Sequence, residues 1–303
     1  NNGITQADID GFRDFDDKFD VIAAYGLVHA NAEFFFPSDM RGFILANGGW
    51  SDTPVGTAHT EYEEDRVVYD LSDSAKDALR RISRYWVARY GAYPVMWTLG
   101  QEVDNDFYWD RTGYNDHSEW SYLNNPYVYV AEYIGEFDAY SHPLSAHQEN
   151  TGATNASGSA FRNVESHNWY AAQWSQGYNT GINFNAPKDY WNNGQNKPTV
   201  LYEGKYCYLW TKNFGARVQG WMAYLNGMRG VAWGGQDTWS FGNTYDEDTA
   251  SSDGVDIITS DDKTLATWRD SLTYKSTYQL SYMRSFFENI VGQWHTLTPR
   301  FDD

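Results

Sequence analysis

The chain has 303 residues, long enough to bury a sizeable core, and 41 Asp plus Glu against 22 Lys plus Arg leave a formal net charge of −19. So acidic a surface repels phosphate backbones and anionic lipid, which argues against nucleic acid or membrane as the partner; no apolar run reaches the ~18 residues that span a bilayer. With aromatics at 18% of the chain, intrinsic disorder is equally disfavoured.

In chain order, a helix is expected from about Gln6 to Tyr25, with Phe12, Phe15, Phe19, Ile22 and Ala23 on one face and Gly26 as its C-cap. Leu27 to Glu33 then reads as a buried strand, and Phe36 to Thr60 as a long loop. Ser72 or Asp73 caps a second helix running to Tyr90, with Ala78, Leu79, Ile82, Tyr85 and Trp86 as its stripe. Its strand is Pro94 to Leu99, ending in Gly100-Gln101-Glu102. A third helix, about Tyr127 to Tyr140, leads to the strand Pro143 to His147, and a shorter strand covers Asn163 to Asn168. A short helix is expected over Pro187 to Asn192, then the strand Pro198 to Glu203, a helix from Asn213 to Met228, the strand Gly230 to Trp233, and a closing helix from about Ser276 to Val291.

Helices alternating with strands predict βαβ units and a parallel sheet. The chain has no Gly-x-Gly-x-x-Gly after a strand and no Walker sequence, so a nucleotide-binding doubly wound sheet lacks its main support. The expectation is an α/β fold, a (β/α)8 TIM-type barrel, as a single catalytic domain over residues 1–303. Only six strands are found and the first helix has no strand before it, so the first one or two βα units are expected to be absent from this chain.

Glu102 and Glu203 each close an apolar strand, and on a barrel both open on one face. Two carboxyl groups flanking a pocket suit glycoside hydrolysis: one protonates the leaving oxygen, the other attacks the sugar carbon or activates water. Burial beside Trp97 or Trp233 would keep the acid protonated. The competing reading is a pair of strand-end salt bridges.

His29, His147 and His167 are read as strand ends, as are Gln148 and Asn168, all suited to hydrogen-bonding sugar hydroxyls. Among the tryptophans in or beside loops (Trp50, Trp109, Trp169, Trp174, Trp233, Trp239), Trp233 and Trp239 directly follow the last strand and are the first candidates for stacking on a sugar ring. Asp237, after Gly234-Gly235-Gln236, is a substrate contact or a helix cap. The rival is a zinc site from the three His with Glu33 or Glu165, but no His-Glu-x-x-His spacing exists, so no metal is assigned. Asp104-Asn105-Asp106 and Asp246-Glu247-Asp248 lack the pattern of a calcium loop and read as solvated acidic loops.

The single cysteine, Cys207, excludes an intrachain disulfide and reads as buried packing. The chain opens on polar residues with no visible leader, and a mature secreted protein would have lost its own. Acidity and polar composition point to a secreted, periplasmic or cell-surface bacterial protein.

Gly100-Gln101-Glu102 resembles the strand-four acid/base motif of the large retaining clan of barrel glycosidases, and Tyr202-Glu203-Gly204 its strand-seven nucleophile motif. More narrowly, Phe12 to Phe36, Tyr93 to Asp104, Pro198 to Tyr206 and Trp294 to Pro299 resemble the apiosidase-like family, also described as collagen-binding or collagenase-like proteins. That family commonly reads Gly-Gly-Asp at strand four, where this chain has Gly100-Gln101-Glu102. The resemblance implies a glycoside hydrolase with Glu203 as nucleophile and Glu102 as acid/base, Gln101 at the usual Asn position beside the acid, a carbohydrate substrate and no organic cofactor. It also implies that the family's first two strands are missing here. A non-catalytic carbohydrate-binding or adhesive barrel, or one piece of a larger assembly, are the alternatives.

Overall fold

The computed structural model describes residues 6–30, 37–59, 65–100, 125–148, 168–173, 197–203, 213–231 and 275–289. The chain forms two compact units. The first takes residues 1–147 and 156–168, the second 148–155 and 169–303.

In the first unit, α1 (Gln6–Ala24) forms where expected. Gly26 ends it at φ +68°, its N–H donating to the Ala23 carbonyl at 2.9 Å while the Leu27 N–H reaches the Ile22 carbonyl at 3.1 Å. This is a Schellman closure, which requires a left-handed residue at that position. The apolar face of α1 meets α3 (Asp73–Tyr90): Phe12 lies edge-on to Tyr85 at 4.9 Å, Phe15 to Trp86 at 5.8 Å, and Phe19 stacks on Tyr90 at 4.1 Å. Asp16 and Arg89 pair across the same helices. The Ser72 hydroxyl caps α3 by accepting from the Ala75 N–H at 3.2 Å.

The loop expected over 36–60 is instead α2 (Pro37–Ala46) followed by β1 (Trp50–His59), which pairs antiparallel with β2 (Asp65–Leu71). Met40 and Ile44, one turn apart on α2, are fully buried. The hairpin was hidden because its register shifts between Trp50 and Pro54 and again between Pro54 and Gly56. Such irregularities destroy the strict alternation by which a strand is recognised, and Pro and Gly are found at them.

Apart from the β1–β2 hairpin, the paired strand segments described in this unit run parallel. His29 bridges to Val95, and β3 (Trp97–Thr98) pairs with β4 (Leu144–Ser145), reached through α4 (Pro126–Phe137). The core is made of Leu71, Leu79, Tyr90, Trp97, Leu99, Tyr127, Ile134 and Leu144, all buried. The division between the units falls within β5 (His147–Gln148).

In the second unit β6 (Tyr170–Gln173), β7 (Thr199–Glu203) and β8 (Gly230–Val231) are parallel neighbours in that order. α5 (Asn213–Leu225) lies between β7 and β8 in sequence, completing a βαβ unit. α6 (Lys275–Asn289) packs on α5 through Trp221 against Phe286 at 4.8 Å and Tyr224 against Phe287 at 5.1 Å. Both units therefore have the parallel α/β arrangement that the alternating pattern predicts. The short helix expected over 187–192 lies outside the described residues.

Candidate active site

Parallel strands deliver all their C-terminal ends to one side, so the ends of these strands are where chemistry is sought. β7 ends on Glu203, whose backbone is in register with Gln173 of β6 just past a register shift. The buried run Thr199 and Leu201 anchors this strand, with the Arg229 N–H donating to the Thr199 carbonyl at 2.7 Å. The sequence reading of a strand ending at this glutamate holds.

In the first unit β3 runs into Leu99, whose N–H donates to the Ser145 carbonyl at 2.8 Å. Gly100 follows at φ +65°, in the left-handed region that favours glycine. Gln101 and Glu102 lie outside the described residues, as do His167, Trp233, Asp237 and Trp239. So do Trp109 and Trp174.

His29 is held within the core. Its backbone accepts from Met96 N–H and donates to the Pro94 carbonyl, both at 2.9 Å, and its ring stacks on Phe19 at 4.0 Å with 8% of the residue exposed. Burial pushes its imidazole below the ordinary value, and the Lys18 ammonium pushes the same way. His29 is therefore the neutral member of an aromatic stack.

Asn168 itself is not part of a described strand. It precedes β6, and its side chain supplies a rung beside the first residue of β4: the Oδ1 accepts from Leu144 N–H at 2.8 Å, and the Nδ2 donates to the His142 carbonyl at 3.4 Å. Except for Asn168, the strand expected over 163–168 lies outside the described residues. His147 opens β5. Trp50 opens β1 and is packed against the core rather than lying in a loop, and Trp169 is buried beside β6.

A buried polar cluster that the sequence reading missed supports the other end of β3. Asp138, at the C-cap of α4, accepts from Trp97 Nε1 at 2.9 Å, His142 N–H at 2.8 Å and Tyr140 N–H at 3.1 Å, and it lies 3.0 Å from His142 Nδ1. Burial alone would raise its carboxyl, but these hydrogen bonds outweigh it and hold the group below the ordinary 3.8. The cluster lies before β4, since the Trp97 N–H also donates to the Pro143 carbonyl at 2.7 Å. Its work is to pin α4 and the entry of β4 to β3.

A family model for the catalytic domain described as Apiosidase-like matches residues 10–293. The chain belongs to the apiosidase-like family. No curated protein and no solved structure matches it. This apiosidase-like chain thus carries the catalytic domain of a glycosidase family, and carbohydrate is the substrate class that goes with it. The match begins within α1 and runs beyond α6, so it takes in β3, with its exit at Gly100, and β7, with Glu203 at its end. Among the described residues no group of three or more His, Cys, Asp or Glu is arranged to hold a metal ion.

Proposed function

We propose that this chain is a retaining glycoside hydrolase built on a (β/α)8 barrel, acting on a polysaccharide or its side chains, with Glu203 as nucleophile and Glu102 as acid/base. The observation that carries the reading is the family match over residues 10–293, taken with Glu203 as the last residue of a parallel strand. A strand end is where a barrel enzyme presents its reacting groups.

In this reading Glu102 protonates the glycosidic oxygen as the Glu203 carboxylate attacks the anomeric carbon. A glycosyl ester forms and the aglycone leaves. Glu102, now deprotonated, takes a proton from water, which displaces Glu203 and releases the sugar with its anomeric configuration retained. A carboxyl separation of about 5 Å accompanies this course, and one above about 6.5 Å would accompany inversion. Two carboxyl groups suffice, so neither metal nor organic cofactor enters. Gln101, His147, His167, Trp233, Asp237 and Trp239 are the proposed sugar contacts. His29 and Asn168 act behind them, the first through its stack on Phe19 and the second through its rung to β4. The whole chain works as one catalytic domain, in a bacterial protein that is secreted, periplasmic or on the cell surface.

The test is a panel of plant and microbial polysaccharides, with the first-formed anomer read by NMR. Glu102→Gln is expected to lower turnover about 10²- to 10⁴-fold and Glu203→Gln to abolish it, with sugar binding kept in both. Turnover that survives both substitutions refutes the assignment and leaves a carbohydrate-binding barrel. A first-formed anomer of inverted configuration refutes the retaining course alone.

A further inference from the structure

The β1–β2 ribbon rises from the side of the first unit at which its parallel strands end. α3 stops at Tyr90, the Tyr93 N–H turns back onto the Tyr90 carbonyl at 3.1 Å, and Val95 already bridges to His29. The C-terminus of α3 therefore lies where the strands begin, and its 18 residues, rising about 27 Å, carry its first turn to where they end. α4 is oriented likewise: a Cβ built on Gly100, just past the end of β3, would lie 2.6 Å from the Oη of Tyr127 in the first turn of α4. β2 ends at Leu71, and the next residue, Ser72, is the N-cap of α3, its N–H donating to the Gly49 carbonyl at 2.9 Å just before β1. Both feet of the ribbon thus stand on the first turn of α3.

Asp70 fastens those feet to both helices. Its Oδ1 accepts from the Tyr129 hydroxyl, in the first turn of α4, at 2.6 Å and from the Leu71 N–H at 2.7 Å, while its Oδ2 pairs with Lys76 in the first turn of α3. Beyond this anchor the ribbon leaves the core. The register shifts put the extra residues on β1, so β2 alternates regularly and Leu71, Tyr69 and Val67 share one face. Leu71 is 1% exposed, Tyr69 is half-buried and Val67 is 52% exposed, so a face that starts in the core ends bare. The ten residues of β1 reach about 30 Å when extended. Among the described residues no third strand pairs with the ribbon, and two strands by themselves are marginal in water.

We propose that the β1–β2 ribbon is a substrate-binding arm: its bare face at Val67 takes an uncharged polysaccharide chain on the strand-end side of the first unit, at sugars other than the one cleaved. This rests on the reading of the chain as a glycoside hydrolase. Strand ends are where an α/β enzyme receives its substrate, so the ribbon stands on the side a polymer must approach. The chemistry of the ribbon selects the occupant. A branched apolar side chain covers the C–H face of a sugar ring, and residues 60–64, which join the two strands, include Glu61, Glu63 and Glu64 in a chain of net charge −19, which repels a polyuronate. Contacts away from the scissile bond hold substrate and transition state alike, so the arm acts on KM for the polymer and leaves the chemical step alone.

The test reads binding and turnover separately. The full chain carrying Glu203→Gln is run by affinity electrophoresis through gels holding xylan, arabinan or polygalacturonate. Retardation by xylan or arabinan and not by polygalacturonate is expected; adding Val67→Asp should weaken it about 5- to 10-fold, and adding Val67→Ile should keep it. In the chain with Glu203 intact, Val67→Asp is expected to raise KM on the retarding polymer about 5- to 10-fold with kcat within about 2-fold, and to leave kcat/KM on the 4-nitrophenyl glycoside of the released sugar within about 2-fold. Asp70→Ala, which frees the foot of the ribbon without touching Val67, should move the polymer constants the same way. Equal losses on polymer and aryl glycoside overturn the proposal, as do unchanged mobility with Val67→Asp, retardation by no polymer, or retardation by polygalacturonate. If Val67→Asp does not fold, Val67→Ser decides. The two claims fail separately. Mobility that depends on Val67 in a chain without turnover refutes the hydrolase and keeps the arm on a carbohydrate-binding barrel; turnover with mobility and KM indifferent to Val67 refutes the arm alone.

Discussion

Asp138 gives the sharpest test of how the first unit is held together. Replacing it with alanine strands the Trp97 indole N–H, on a residue only 3% exposed, and removes the acceptor for the His142 and Tyr140 backbone N–H groups. An orphaned buried donor costs about 1–3 kcal/mol and a hydrogen bond to a charged acceptor contributes about 1.5–3, so with partial compensation by water Asp138→Ala should destabilise by about 3–4 kcal/mol. Trp97→Phe removes the donor and keeps most of the ring. In that background Asp138→Ala should cost about 1–2 kcal/mol less, the difference being the coupling of the buried pair. Urea unfolding followed by far-ultraviolet circular dichroism at pH 7 measures all four corners of the cycle. The pH dependence follows from the depressed carboxyl. The folded state holds Asp138 ionised below its ordinary 3.8, so its contribution is fully present above the unfolded value and fades as pH falls through the folded one. The gap between parent and Asp138→Ala should therefore close in acid. A coupling below about 0.5 kcal/mol, or a gap unchanged down to pH of about 2, would show that the cluster does not carry the load assigned to it.

Three smaller perturbations probe other joints. His29 is buried with its imidazole pushed below the usual 6.5, so the unfolded chain binds the proton first and stability falls as pH drops from that value toward the folded one. His29→Phe, which preserves an aromatic stack on Phe19, should flatten the slope just below pH of about 6.5 in pH-scanned urea melts, and an unchanged slope places the titration elsewhere. Ser72→Ala removes the cap on α3 and should cost about 1 kcal/mol, with Ser72→Asp close to the parent, as read by thermal melts. Gly26→Ala meets open space but a φ of +68°, so its expected cost of about 1–2 kcal/mol is backbone strain alone. A neutral result there would mean that the turn after α1 relaxes.

The parts of this protein that were legible in its sequence are those whose causes lie within a few residues. The phenylalanine spacing of α1, the serine before α3, the glycine after Ala24 and Tyr25, and the apolar run from Thr199 into Glu203 all act through neighbours along the chain, and each element formed where its pattern put it. The same locality made Glu203 visible as a strand end, and the motifs around the two glutamates pointed to the family.

Tertiary structure decided what depends on partners distant in sequence. The hairpin β1–β2 exists because Asp65–Leu71 offers hydrogen bonds to a Pro- and Gly-broken strand that no local rule would accept. Asn168 became a rung on β4 because Leu144 has a backbone N–H to satisfy, and His29 a core residue because Phe19 lies over it. Trp97 and Asp138 lie 41 positions apart and find each other only once α4 has packed. Gly100 looks like any glycine until the ring of Tyr127 closes against it. Hydrogen-bond satisfaction and steric exclusion are pairwise conditions, and a one-dimensional pattern carries only one member of each pair at a time.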